Sequence, residues 1–290
     1  MMKTRTGHYS IGFRMRGWTS NASFAEVLTW TKESGLGGVD IGSNADEVGQ
    51  QVLDADLWIG SADLRNARNL LSADPDTRAA AIADNQSYIE SSAKLGAMVY
   101  FLAMIPEDPS LPRADNFGYM VESFGALAPT LEAHNATIVI EGWPGPGALC
   151  CTPETYRAFF EAVPSKAMGV NYDPSHLLRM GIDPIHFLNE FVDRVYHTHG
   201  KDTEILADNV YEYGTEQPAT FAKQMPFGGF SWRYCIPGHG VTPWCEVFRI
   251  LKENNYSGRV SIELEDMNFN DGGDEEKFGI LQAARYLEGV

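Results

Sequence analysis

Eight short apolar runs, each followed by a longer amphipathic segment, set the strongest limit on what this chain can fold into. The runs are His8–Met15, Gly38–Ile41, Leu57–Ser61, Met98–Ile105, Thr137–Glu141, Ala167–Tyr172, Arg194–His199 and Arg259–Glu265. The segments are Phe24–Ser34, Ala45–Ala55, Thr77–Leu95, Asn116–His134, Pro153–Val163, Pro184–Phe191, Pro243–Asn254 and Glu275–Leu287. Runs such as IVIE and MVYFLAMI are nearly continuous in apolar residues, as parallel strands covered on both faces should be. Helix-start signals stand at Thr152-Pro153-Glu154, Asp183-Pro184 and Thr242-Pro243, each a capping residue followed by a proline. Eight such alternations over 290 residues predict the α/β class and a (β/α)8 TIM barrel, one domain spanning 1–290. A doubly wound open sheet is the rival. It would want a glycine-rich phosphate turn after an early strand, and neither GxGxxG nor GxxxxGKS/T occurs.

Size scaling gives such a chain about 12,000 Å² of folded surface, enough to bury a large core. Lys and Arg number 22 against 39 Asp and Glu, a formal charge of -17. That balance argues against nucleic-acid phosphate or an anionic membrane as the main partner, since both reward basic patches. No run of about 18 apolar residues predicts a membrane span. The N-terminus MMKTRTGHYSIGF has no apolar stretch of signal-peptide length. Cys150, Cys151, Cys235 and Cys245 form no CxxC pair, so a reduced, cytoplasmic setting is expected.

One stretch breaks the alternation. Residues Lys201–Thr242 show no clear periodicity and are too long for a plain connection. They carry YEYG and FGGFSWRY. In a barrel this segment would lie at the C-terminal face, as a lid, a substrate wall or a subunit contact.

Barrel enzymes place their chemistry where strands end, and four late strands end in metal-ligand types. TIVIEGWPGPG ends on Glu141, and MGVNYDPSHL carries Asp173 and His176. VYHTHGKD carries His197 and His199, and VSIELEDM carries Glu263 and Glu265. Side chains two apart share a face of a strand, and an unpaired buried carboxylate is costly. A shared divalent cation would compensate them. Glu141, Asp173, His199 and Glu263 would offer three carboxylates and one imidazole, which suits Mn²⁺, with Mg²⁺, Co²⁺ or Zn²⁺ as alternatives.

These residues resemble the sugar phosphate isomerase/epimerase superfamily, the xylose-isomerase-like TIM barrels. The resemblance covers nearly the whole chain and is strongest from Ile138 to Asp266. It rests on AMGVNYDPSHLLRMGIDP, VYHTHGKDTEIL and WRYCIPGHGVTPWCEVFRILKENNYSGRVSIELED. It implies the metal ligands Glu141, Asp173, His199 and Glu263, with Glu265 and then Asp266 as rivals at the eighth strand. His197 would pack in the barrel or support the ligands. His176 corresponds to a substrate-side histidine. Lys201 would bind a substrate hydroxyl, carboxylate or phosphate, or else pair with Asp202. Arg233 and His239 are further substrate-binding candidates. Trp18, Trp143 and Trp232 are candidates for stacking on sugar, Trp143 foremost because it follows Glu141 closely. A metal-dependent abasic-site endonuclease is a different branch of the superfamily. Here the early strand ends offer Arg14, Asp40 and Asp63 rather than its extra histidines.

The resemblance implies a sugar isomerase or epimerase in which Glu141 and Glu263 move a proton beside a metal-bound carbonyl, through an enediolate. The alternative is a lyase that carries out β-elimination on 3-oxo-glycosides, with His176 or His239 as acid or base. A metal-dependent sugar sensor without catalysis is a third reading, since fold alone does not fix function. The expected partners are a small sugar or glycoside, and a second copy of the chain or a small subunit.

Overall fold

The computed structural model describes residues 1–290. Eight strands close into a barrel in the order β1-β10-β7-β6-β5-β4-β3-β2. They are β1 (Ile11–Arg14), β2 (Gly38–Ile41), β3 (Trp58–Asp63), β4 (Val99–Ala103), β5 (Thr137–Glu141), β6 (Met168–Tyr172), β7 (Val195–Gly200) and β10 (Val260–Ile262). The expected (β/α)8 barrel is therefore the fold. The accessible surface is 12567 Å², close to the size-scaling value. No helix is long and apolar enough to cross a membrane.

The chain gathers into two compact units. One comprises Val39–Tyr172 and Phe191–Thr198. Its strands run parallel, with Ala103 level with Glu141, Glu141 with Asn171, and Asn171 with His197. That register brings the polar ends of β5, β6 and β7 to one level. The helices here are α2 (Ala45–Asp54), α3 (Pro75–Ser92), α4 (Arg113–Ala133) and α5 (Pro153–Ala162). Asp74 caps α3 by accepting from Thr77 N at 3.1 Å, with Pro75 in the first turn, the ordinary N-terminal device. Thr152 makes no such side-chain cap at α5, although the sequence pattern asked for one.

The other unit comprises Met1–Gly38, Asp173–Glu190 and His199–Val290. It holds α1 (Phe24–Glu33), α6 (Pro174–Arg179), α9 (Trp244–Glu253) and α10 (Asp274–Glu288). A capping box between Ser23 and Glu26 starts α1. Asp173 starts α6, accepting from Ser175 N at 2.9 Å and from its hydroxyl at 2.6 Å. This short helix had no place among the expected segments. It consists of the residues that immediately follow β6, so the expected turn PSHL is helical.

The expected featureless stretch Lys201–Thr242 is corrected by the structure. It contains β8 (Asp202–Ile205), the helix α8 (Ala207–Tyr213) and β9 (Trp232–Cys235). The two strands pair antiparallel, Asp202 opposite Cys235 and Ile205 opposite Trp232. Each strand has only four residues, too few to show a period amid Gly and Pro. Thr242 also departs from expectation. Its hydroxyl donates to Asp202 at 2.6 Å instead of capping α9. Between the strands, Tyr211 and Phe221 are almost fully exposed.

Candidate metal site

Ligand-type side chains collect at the polar strand ends in two buried groups. In one unit Asp173, His176 and Glu263 form a group whose donor atoms lie within 4.8 Å of one another, and His199 Nδ1 is 3.4 Å from Glu263 Oε2. In the other unit Asp40 and His197 form a pair.

Lys201 stands just past the end of β7 and is 1% exposed. Its Nζ lies 2.5 Å from Glu263 Oε2, 3.1 Å from Glu265 Oε2 and 3.2 Å from Asp173 Oδ2. His176 Nε2 is 3.3 Å away. The suggested pair with neighbouring Asp202 is not the partnership found. Asp202 instead accepts from Thr203 N, Thr242 N, the Thr242 hydroxyl and Trp244 Nε1.

Glu263 meets more positive charge than Lys201 alone. Arg16 Nη1 is 3.0 Å away and Arg14 Nε is 3.4 Å away. Burial pushes the Glu263 carboxyl pKa up, but the charges of Lys201, His199 and Arg16 outweigh it and hold the group well below the usual carboxylate range. Glu265 shares Arg16, at 2.7 Å, and Lys201, but it does not belong to the donor group of Asp173, His176 and Glu263. Asp266 is taken up elsewhere. It accepts from Ile236 N at 3.1 Å and from Asn268 N at 2.9 Å, and Arg233 Nη1 lies 3.2 Å away.

His197 pairs with Asp40, Nε2 to Oδ2 at 3.0 Å, and Asp40 Oδ1 accepts from Ser61 N at 3.0 Å. A Cβ on Gly60 would fall 2.0 Å from Asp40 Oδ1 and 3.0 Å from His197 Cε1. The pair thus fills the space above a residue that only glycine accommodates. Glu141 is oriented by the adjacent strand: Asn171 Nδ2 donates to its Oε2 at 2.9 Å, both residues buried.

His176 is buried, and its Nδ1 lies 2.6 Å from the Tyr234 hydroxyl. Arg179 Nη1 donates to the same oxygen at 2.8 Å. Burial pushes the Tyr234 phenol pKa up, against the opposing charges of Lys201 and Arg179. Tyr234 belongs to β9, so the excursion after β7 delivers a side chain to the site. Tyr234, Arg16, Arg179 and Asn171 were not singled out from the sequence. The signal for Tyr234 and Arg179 was their place in the quoted motifs, where they read as neighbours of more obvious residues.

The remaining candidates are dispersed. Arg233 is tied to Glu204, opposite it on β8, at 2.6 Å. His239 is exposed beside Phe269. Trp18 is buried and packs edge-on to Trp30, with centroids 5.0 Å apart, so its ring belongs to the core and is not open to a sugar. Trp232 lies under the Arg179 guanidinium, 4.2 Å from the ring centroid. Trp143 is half-buried and lies against Gly145, where a Cβ would meet its ring at 2.0 Å. Cys150, Cys151 and Cys235 are buried thiols, and burial pushes the Cys150 and Cys235 thiols up.

Residues 20–289 match the family model described as Xylose isomerase-like TIM barrel. An uncharacterised protein of Bacillus subtilis, YfiH, is 34% identical over 129 residues, 42% of this chain and 38% of that protein. An inosose dehydratase of Clostridium tetani is 27% identical over 146 residues, 50% of this chain and 46% of that protein. The chain thus spans less than half the length of these relatives. Among solved structures, an Escherichia coli 3-keto-D-glucoside 4-epimerase superposes with a TM-score of 0.67 at 15% identity, covering 96% of this chain and 98% of that one. A D-psicose 3-epimerase in the presence of D-fructose gives a TM-score of 0.69 at 18% identity, covering 97% and 100%.

Proposed function

The chain belongs to the xylose isomerase-like TIM-barrel family, and from that premise we propose that it is a divalent-metal-dependent sugar epimerase or isomerase. It would take the proton next to a sugar carbonyl and return it. The observation that carries this reading is the buried group of Asp173, His176 and Glu263. Carboxylates held together away from water repel one another, and the charges of Lys201, Arg14 and Arg16 offset that repulsion chiefly at Glu263. Asp173 Oδ2, though buried and close to Lys201, accepts no hydrogen bond, as suits an oxygen aimed at a cation. Glu141, Asp173, His199 and Glu263 are the proposed ligands, a hard oxygen-rich set that suits Mn²⁺, with Mg²⁺, Co²⁺ or Zn²⁺ as alternatives.

A divalent cation bound there would polarise a ketone oxygen and stabilise the negative charge of an enediolate. The side chains supply the rest. Glu141, held by Asn171, removes the α proton, and Glu263 is the second proton-transfer group. The cations around Glu263 keep it ionised between turnovers. Lys201 can donate to a substrate oxygen, and His176, backed by Tyr234, can donate to another. Trp143 offers a flat face for a sugar ring. Return of the proton to the opposite face gives an epimer; return to the adjacent carbon gives an aldose–ketose isomer.

The local match to an inosose dehydratase favours a second outcome of the same first step. If the carbon beyond the carbanion carries an oxygen leaving group, the electron pair forms a C=C bond and the C–O bond breaks. The departing oxygen then takes a proton from His176. With a 3-oxo-glycoside the product is an unsaturated ketone plus the free aglycone alcohol.

The test is exchange with solvent. The Mn²⁺-loaded protein is incubated in D₂O with a free ketohexose and with methyl 3-oxo-glucoside. Deuterium at the α carbon is expected, and the product, epimer or unsaturated ketone, distinguishes the two outcomes. Glu141→Gln should abolish exchange. Absence of exchange into either substrate would sink the proposal.

A further inference from the structure

A cavity opens against the two arginines that hold Glu263. It is lined by Arg14, Arg16, Phe227, Asp266, Phe269 and Glu276, among others. Arg14 and Arg16 are the two guanidiniums that touch Glu263, so a molecule whose reacting carbon lies at Glu263 can extend into it. The carboxylates in its wall are occupied. Glu276 accepts from Trp18 N at 2.5 Å and Gly272 N at 3.2 Å, and Asp266 is held as described above. The Arg16 side chain is 45% exposed. Two phenyl rings and a partly open guanidinium are among the groups left to meet a ligand.

Phe227 is in an unusual backbone state. Gly228 N donates to Met225 O at 3.0 Å, closing a turn with Pro226 and Phe227 at its centre. Phe227 has φ of +52°. Proline first and a residue of positive φ second is the pattern of a type II turn, and that second position favours glycine. An aromatic residue there is strained. The conformation is clamped by Tyr234 N donating to Phe227 O at 2.8 Å, so the ring is set by the same strand that brings Tyr234 to His176. A turn needing only to close would be better served by glycine. The strain is accounted for if the ring itself is used, and its place is the cavity wall.

We propose that this cavity is a subsite for a planar aryl substituent carried by the sugar, and that Phe227 is its specificity-determining wall. The phenyl faces of Phe227 and Phe269 suit an aromatic ring, and Arg16 suits its oxygen substituents. This rests on the reading of the neighbouring site as a sugar-binding centre and narrows its substrate class to aryl glycosides.

The test compares 4-nitrophenyl 3-oxo-glucoside with methyl 3-oxo-glucoside, by calorimetric affinity and by α-deuterium exchange, for the wild type, Phe227→Gly and Phe227→Asn. Both replacements accept positive φ. The expected result is that the wild type prefers the aryl compound by about tenfold, a size consistent with one stacked ring. Both variants should lose that preference, keep the methyl compound's affinity, and unfold at or above the wild-type temperature. Equal affinity of the wild type for the two compounds would overturn the subsite. So would variants that unfold earlier yet keep the preference, since Phe227 would then be a packing residue. If the aryl preference and its loss appear without any exchange, the subsite stands and the proposed chemistry falls. If exchange appears without an aryl preference, the reverse holds.

Discussion

Lys201 Nζ and Glu263 Oε2 lie 2.5 Å apart with both side chains almost wholly buried. This ammonium also reaches Asp173 and Glu265. In the metal-free protein it is therefore a built-in cation for a carboxylate cluster, placed by the residue that follows β7. A second cation entering the cluster must share those oxygens with it.

Lys201→Met should then destabilise the metal-free protein strongly. Removing one partner of a buried ion pair costs about 3–5 kcal/mol, because the carboxylates are left uncompensated. For a chain of this size the midpoint should fall on the order of 10 °C. Mn²⁺ should restore more stability to the variant than to the wild type, because it replaces the lost charge. Thermal unfolding of both proteins with and without Mn²⁺ checks this; equal midpoints without metal would refute it.

Tyr234→Phe should act through His176. Arg179 can only donate, so the Tyr234 oxygen accepts from it and its own proton is free to go to His176 Nδ1. That places the imidazole proton on Nε2, toward Asp173 Oδ2 at 3.3 Å and against the Lys201 ammonium at the same distance. Without the phenol the tautomer loses its fixed partner. Two-dimensional ¹H–¹⁵N spectra of the imidazole should show a single Nε2–H form in the wild type and a mixture in the variant. Turnover should fall by about tenfold or more. A single unchanged tautomer in the variant would show that Asp173 alone fixes the ring.

The barrel was legible in the sequence because apolar runs alternate with helical segments at lengths that only parallel strands and crossover helices satisfy. The polar strand ends were legible for the same reason, since Glu141, Asp173 and Glu263 interrupt or end apolar runs. What was not legible is who compensates whom. Lys201 sits next to Asp202 in the chain, yet its partners are 28, 62 and 64 residues away at Asp173, Glu263 and Glu265. Arg16 reaches Glu263 across 247 positions. Pairings of that separation depend on barrel closure and leave no local spacing to read. Tyr234 was hidden differently. Its strand is four residues long and lies in a stretch rich in glycine and aromatics, where no alternation can be counted.

Asn171→Leu should loosen Glu141. The amide donates to Glu141 Oε2 at 2.9 Å in a buried setting, and leucine has similar size and no donor. Supporting hydrogen bonds of this kind typically change metal affinity or activity by about 10–100-fold. The expected result is weaker Mn²⁺ binding by calorimetry in that range. An accompanying stability loss of about 1–3 kcal/mol would reflect the carboxylate oxygen left without its partner. Unchanged affinity for Mn²⁺ would show that Glu141 is not held in place by Asn171.

Asp202 offers a test by pH that is independent of the metal. Burial pushes its carboxyl pKa up, against hydrogen bonds from Thr242, Thr203 and Trp244. The folded state therefore holds the Asp202 proton more tightly than the unfolded chain, whose aspartate titrates near about 3.9. Its contribution to stability is fully present below that value and is lost as pH rises through the raised folded pKa. Asp202→Asn removes this titration, at a cost of about 1–3 kcal/mol for amide protons that face backbone and indole donors. The stability gap between wild type and variant should consequently narrow as pH rises from about 4 into the neutral range. Urea unfolding of both proteins at several pH values measures the gap. A gap that widens with pH would mean that the donors around Asp202 outweigh burial and keep it ionised.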